Sequence, residues 1–225
     1  MEERGVEVKR RAAVVLTLLG VVVTAGCTDS DEPSNVGVSA SSDPGSTASS
    51  MTLEEAYRKL PIDGPANAPI NWEKPQEPES EEVLAARRSL ALWYWERSST
   101  DWTEIVPIGR FLFTDRFYQQ SLAPFADVTN NAKPSSGPLW VKTMGVEKTG
   151  TDQARVTFCT DRGHWRDAGV TEVPHNRANL ESYVLNYEQT GDGERRWLTD
   201  RLIDNAVDRT DQYGAECTKW AQHQS

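Results

Sequence analysis

Four runs after Pro138 constrain the fold of this 225-residue chain more than any other feature. LWVKTMGVEK (139–148), QARVTFCTD (153–161), LESYVLNYEQ (180–189) and ERRWLTDRLID (194–204) are rich in β-branched and aromatic residues, the composition of a pleated, half-buried surface. The glycine-bearing turns KTGTD and QTGDG join the first run to the second and the third to the fourth, as hairpins. Between the hairpins lies a long excursion, RGHWRDAGVTEVPHNRAN. A meander of this kind must bury one face, and the helical segments that precede it are the available cover. The expected class is α+β, with N-terminal helices packed on an antiparallel meander sheet.

The helices announce themselves by caps and by periodicity. Ser80 stands ahead of EEVLAARRSLALWYWERSS, in which Val83, Ala86, Leu90 and Tyr94 share one helical stripe, flanked by Leu84, Ala91 and Trp93. Leu92 points the other way, so this helix is expected to be covered on more than one side. Asp101 with Glu104 is a second capping signal, ahead of DWTEIVPIGRFLF, and Thr114 a third, ahead of DRFYQQSLAPF. Further upstream, TLEE at 52–55 has the capping-box form, and Pro61 stops the helix it opens. The segment PIDGPANAPINWEKPQEPE then carries five prolines in nineteen residues, which makes it an extended strap, with Trp72 placed to pin it to the domain.

Residues 1–26 read as a secretory leader. Lys9, Arg10 and Arg11 precede the uncharged AAVVLTLLGVVVTAG, which is short of the roughly 20 apolar residues of a membrane span. Three glutamates ahead of the basic cluster are foreign to such a leader, which points to translation from Val8 rather than Met1. Arg10 and Arg11 lack the fuller twin-arginine pattern, so general secretion is expected. The residues TAGC, ending at Cys27, resemble the lipobox of bacterial lipoproteins, in which the cysteine thiol is acylated and anchors the chain in the bilayer. An ordinary leader cleaved nearby would instead leave Cys27 as a free thiol or half of a disulfide.

With Cys27 assigned to lipid, Cys159 and Cys217 remain as a pair, which an oxidising compartment would join. The alternative is two separate thiols; neither cysteine has a partner at chelating spacing, so no metal is expected. Residues 28–50 hold eight serines and no aromatic residue, so the chain from 27 to 50 reads as a disordered tether. The formal net charge of −10 argues against nucleic acid as a partner, because phosphates would meet no neutralising surface.

The order of elements from 80 to 225 resembles the cone-shaped NTF2-like (SnoaL-like) fold, and most closely small lipoproteins of high-GC Gram-positive bacteria. There a strand bearing Cys-x-Asp, here Cys159, Thr160 and Asp161, pairs with a cysteine near the end, here Cys217. Alternation along 154–159 agrees: Ala154, Val156 and Phe158 face one way, and Arg155, Thr157 and Cys159 the other. The C-terminal tail would cross that second face, with Trp220 beside the staple. The domain plan is a leader (1–26), a lipidated cysteine and tether (27–50), a short helix and strap (51–79) and the NTF2-like domain (80–225).

Candidate chemistry is sparse. Asp161, His164 and Asp167 in CTDRGHWRD can form a proton-transfer site or contribute metal ligands, or can be a solvated loop anchored by Trp165. His175 adds no chelating spacing. Arg87, on the apolar stripe between Val83 and Tyr94, can hold an anionic ligand, or can pair with an acidic neighbour. Tyr94, Tyr118, Tyr183 and Tyr187 can line a cavity or fill the core. With no phosphate loop and no Ser-His-Asp arrangement, no cofactor is expected. The leading expectation is a non-catalytic module, lipid-anchored on the extracytoplasmic face of the cell membrane, that binds an envelope protein or a small ligand. The runner-up is an NTF2-like pocket enzyme of the isomerase or dehydratase type, working by acid-base catalysis.

Overall fold

The structure is a computed structural model that describes residues 51–75, 78–128, 133–167, 169–172 and 177–223. The leader, Cys27, the tether and His175 lie outside the described residues. The fold is α+β: a curled five-stranded mixed sheet with several helices. Among the described residues no helix is long and apolar enough to cross a membrane.

The first helix, α1 (Leu53–Lys59), starts on the capping box read from TLEE. Thr52 accepts from the Glu55 amide while the Glu55 carboxylate accepts from the Thr52 amide at 2.9 Å, so two orphan donors are satisfied at once. The strap is more than extended chain. Its residues Ile70–Trp72 form β1, which adds in parallel to the edge of β2 (Leu139–Gly150). Prolines flank this three-residue strand without interrupting it: the Pro69 carbonyl accepts from Leu139 and the Glu73 amide donates to Val141. Ala56, Leu60, Ala68 and Ile70 are buried in the same core as the rest of the domain.

Strands β2, β3 (Gln153–Asp161), β4 (Ala178–Gln189) and β5 (Arg195–Ile203) form the antiparallel meander, giving the order β1-β2-β3-β4-β5. Register shifts between Thr143 and Gly145, between Lys148 and Gly150, and between Val184 and Leu185 bend the strands and add to the curl. Helix α2 (Glu81–Arg97) lies against the sheet, burying the stripe Val83, Ala86, Leu90 and Tyr94; Ala91 and Leu92 are buried too, since the helix is covered on more than one side. Two cap expectations are corrected. Ser80 stands at the N-cap of α2, but its side chain makes no capping bond. Asp101 accepts from the amide and hydroxyl of Thr103, closing a local turn, and the helix beyond it shrinks to α3 (Ile105–Gly109). Thr114 does cap α4 (Asp115–Ser121), accepting from the Phe117 amide.

The sheet is buried on both faces. Val156 and Phe158 join the main core under the helices, whereas Cys159 joins Leu180, Ala206, Cys217 and Ala221 in a smaller one beneath α5 (Ala215–Trp220). A disulfide links Cys159 to Cys217, whose Cα atoms are 5.4 Å apart. Trp220 packs against this second core. Arg155, on the same face, forms a two-pronged ion pair with Asp208 at 2.6 and 2.9 Å.

Candidate functional site

The CTDRGHWRD residues are held near one another but turned to different partners. Asp161, the last residue of β3, is fully buried. It accepts from the Gly163 amide at 2.8 Å, from Arg177 through Nε at 3.1 Å and Nη2 at 3.0 Å, and from the His223 amide at 3.0 Å; His223 Nδ1 lies 3.2 Å away. Burial pushes the Asp161 carboxyl up, but these donors more than offset it and hold the group below its ordinary value. His164 turns away to the edge of Trp140, whose ring stacks on His223 at 5.2 Å. Asp167 accepts from Ser135 Oγ at 2.7 Å. Asp161, His164 and Asp167 therefore do not converge, and among the described residues no cluster of three His, Cys, Asp or Glu side chains could hold a metal ion. His223, which sequence reasoning passed over, takes the place beside Asp161 that a proton-transfer site would have given to His164. Only the staple that brings α5 onto β3 could have signalled it.

Arg87 is also engaged. Its guanidinium pairs with Glu79 and lies 4.1 Å from the centre of the Trp72 ring, while Trp72 meets the face of the core through Phe158. The residue clamps the strap to α2, the outcome in which it pairs with an acidic neighbour.

Tyr94 belongs to a buried polar network. Its hydroxyl donates to Glu181, a fully buried carboxylate on β4, and accepts from Arg162 Nε at 2.9 Å. Glu181 also accepts from Arg162 Nη2 at 2.8 Å, Thr160 Oγ1 at 2.9 Å, Asn179 Nδ2 at 3.3 Å and Tyr183 Oη at 3.3 Å. Burial first, and the Glu181 charge second, push both phenols up, so they stay protonated donors at any physiological pH. Arg162 reaches on to Asp204 at 2.8 Å. Beside this network opens a shallow cleft of about 470 Å³, lined by Arg162, Trp165, Asp167 and Asn179 among others.

A second cleft, of about 500 Å³, lies between α3, α4 and the turn that joins β4 to β5. Leu112 and Thr114 exchange backbone hydrogen bonds with Thr199 of β5, at 2.8 and 2.9 Å, which holds Phe111 and Phe113 along the strand. Phe111, Phe113, Tyr118 and Leu198 make an apolar lining. The turn is fastened by Asp192, which accepts from the Thr190 hydroxyl and the Glu194 amide and pairs with Arg196. The Thr190 hydroxyl, then Arg196, lower the Asp192 carboxyl to about 2. Arg110, at the end of α3, lies 4.7 Å over the Tyr118 ring and is exposed. Among the described residues it faces no carboxylate in an ion pair, unlike Arg196.

No protein-family model, curated protein or solved structure matches this chain. The network around Glu181 is nearly closed on itself, each of its buried donors aimed at a buried acceptor. The second cleft combines an apolar lining with an unmatched cation at its rim, the pattern of a small-molecule binding site.

Proposed function

We propose that the chain is a lipid-anchored extracytoplasmic binding module of NTF2-like architecture, held to the membrane through Cys27 and taking a small ligand in the cleft between α3, α4 and β5. The cleft carries this proposal: about 500 Å³ of largely apolar space with Arg110 at its rim falls in the size range of ligand pockets. A curled meander with α2 packed on one face and α5 on the other supports the cone-like architecture. The Cys159–Cys217 disulfide supports a location outside the reducing cytosol and leaves Cys27 as the cysteine available for acylation. An envelope protein is the other class of partner.

Native mass spectrometry of the protein taken gently from its own membrane, beside the same sample denatured, tests this. The expected result is an acyl mass on Cys27 and a small molecule lost on denaturation. A chain that begins elsewhere, unacylated and empty, would overturn it. A co-purifying protein with an empty cleft would instead favour an envelope adaptor.

A second proposal, an acid-base enzyme, draws on one observation: Arg162, bound to Tyr94 and Glu181, also lines the 470 Å³ cleft. Turnover of a co-purified ligand that Glu181→Gln abolishes, without loss of folding, would favour it over simple binding.

A further inference from the structure

The charges around the α3–α4–β5 cleft specify more than that something binds there. Two arginines line it. Arg196 is neutralised by Asp192 in the turn, whereas the Arg110 guanidinium lies over the face of Tyr118, 4.7 Å from its centre. A guanidinium stacked on an aromatic ring is held in place yet keeps its edge donors free for a planar acceptor. A carboxylate is such an acceptor, and it would meet Arg110 where the apolar lining begins.

The acids on the rim restrict the charge of the guest. Asp115, in the first turn of α4, and Glu188, which accepts from Asn186 Nδ2 at 3.0 Å, both line the same space. Arg110, which makes no ion pair among the described residues, can take a single negative charge, and the two acids keep the rest of the rim negative. A doubly charged headgroup would bring a surplus charge within reach of both acids, where like charges repel.

We infer that this cleft binds an apolar monocarboxylate, with its carboxylate on Arg110 and its hydrocarbon or aromatic body on Phe111, Phe113, Tyr118 and Leu198, and that Asp115 and Glu188 exclude dianionic headgroups. This inference rests on the proposed binding role of the cleft and adds the class of ligand.

Titration calorimetry on the full mature chain tests it, with decanoate, decyl phosphate and decylamine as probes, each below its aggregation concentration. Decanoate is expected to bind one per chain and at least tenfold tighter than the other two. Arg110→Gln should weaken decanoate about tenfold or more, the scale of a lost charge-assisted hydrogen bond, and Arg110→Lys should restore part of it. Arg88→Gln, which removes a guanidinium stacked on Tyr57 outside this cleft, should change nothing. Asp115→Asn combined with Glu188→Gln should bring decyl phosphate closer to decanoate. Saturable binding of decylamine alone would overturn the ligand class while leaving a binding cleft. Decanoate binding that Arg110→Gln does not alter would overturn the role of Arg110. Binding of none of the three would overturn both the ligand class and the cleft.

Discussion

The backbone amide of His223 donates to Asp161 Oδ2 at 3.0 Å across 62 residues of chain, and the same carboxylate is gripped by Arg177. The segment from α5 to His223 is thus tied to the end of β3 twice, by this contact and by the disulfide two residues upstream of Asp161. Breaking a buried charge pair from one side costs about 3–5 kcal/mol, so Asp161→Ala should destabilise the domain on that scale in urea unfolding. The pH dependence has a definite sign. The folded carboxyl is held below its ordinary value of 3.8, so its contribution is complete above about pH 4 and disappears as pH falls from there through the folded value. Asp161→Asn should flatten that part of the acid limb in a plot of unfolding free energy against pH.

The staple closes a loop between residues 58 apart. In the chain-entropy account such a loop contributes about 4 kcal/mol. Cys159→Ser with Cys217→Ser should lower stability by roughly that amount, and reductant should lower the wild-type midpoint toward the double variant while leaving the double variant unchanged. Identical midpoints with and without reductant would show that the two thiols are not joined.

Glu181 is the acceptor for Tyr94, Arg162, Thr160, Asn179 and Tyr183. Glu181→Ala should cost about 3–5 kcal/mol, because it leaves two buried phenols without their acceptor and Arg162 with only Asp204. Tyr94→Phe removes one hydroxyl and should cost about 1.5–3 kcal/mol, the range for hydrogen bonds to charged groups. Thermal or urea unfolding distinguishes the two; equal losses would mean that Tyr94, not the carboxylate, organises the network.

Gly137 has φ +100°, and a Cβ placed there would run into the His164 carbonyl. Gly137→Ala should therefore destabilise the start of β2 by more than the 1 kcal/mol or so of an ordinary glycine substitution. Hydrogen exchange at Arg166, whose amide donates to Ser136 beside this glycine, should accelerate in the variant.

Cys27→Ser tests the anchor directly. Under the proposed lipidation the variant should appear in the soluble fraction while wild type sediments with membranes, with both giving the same unfolding midpoint. A wild-type chain that is itself soluble would remove the anchor from the proposal.

Local sequence was enough to read most of what depends on near neighbours, the Ser80 and Asp101 caps excepted. The capping box at Thr52 and Glu55, the Thr114 cap, the stripe on α2 and the two glycine turns all rest on residues a few positions apart, whose hydrogen bonds and periodicities are the same in any fold that contains them. Alternation along 154–159 likewise placed Cys159 on the face opposite Phe158, because side chains on a strand must alternate.

Tertiary structure decided the rest. Whether the strap became a strand depended on the free edge of β2, which no local pattern reveals. Whether Asp161 met His164 or His223 depended on where α5 comes to rest, and whether Arg87 faced a ligand or Glu79 depended on the path of the strap. Each of these choices is made by burial: a charged group carried into the core takes whichever partner the packing of distant segments brings to it, since leaving it unpaired costs more than any local preference can supply.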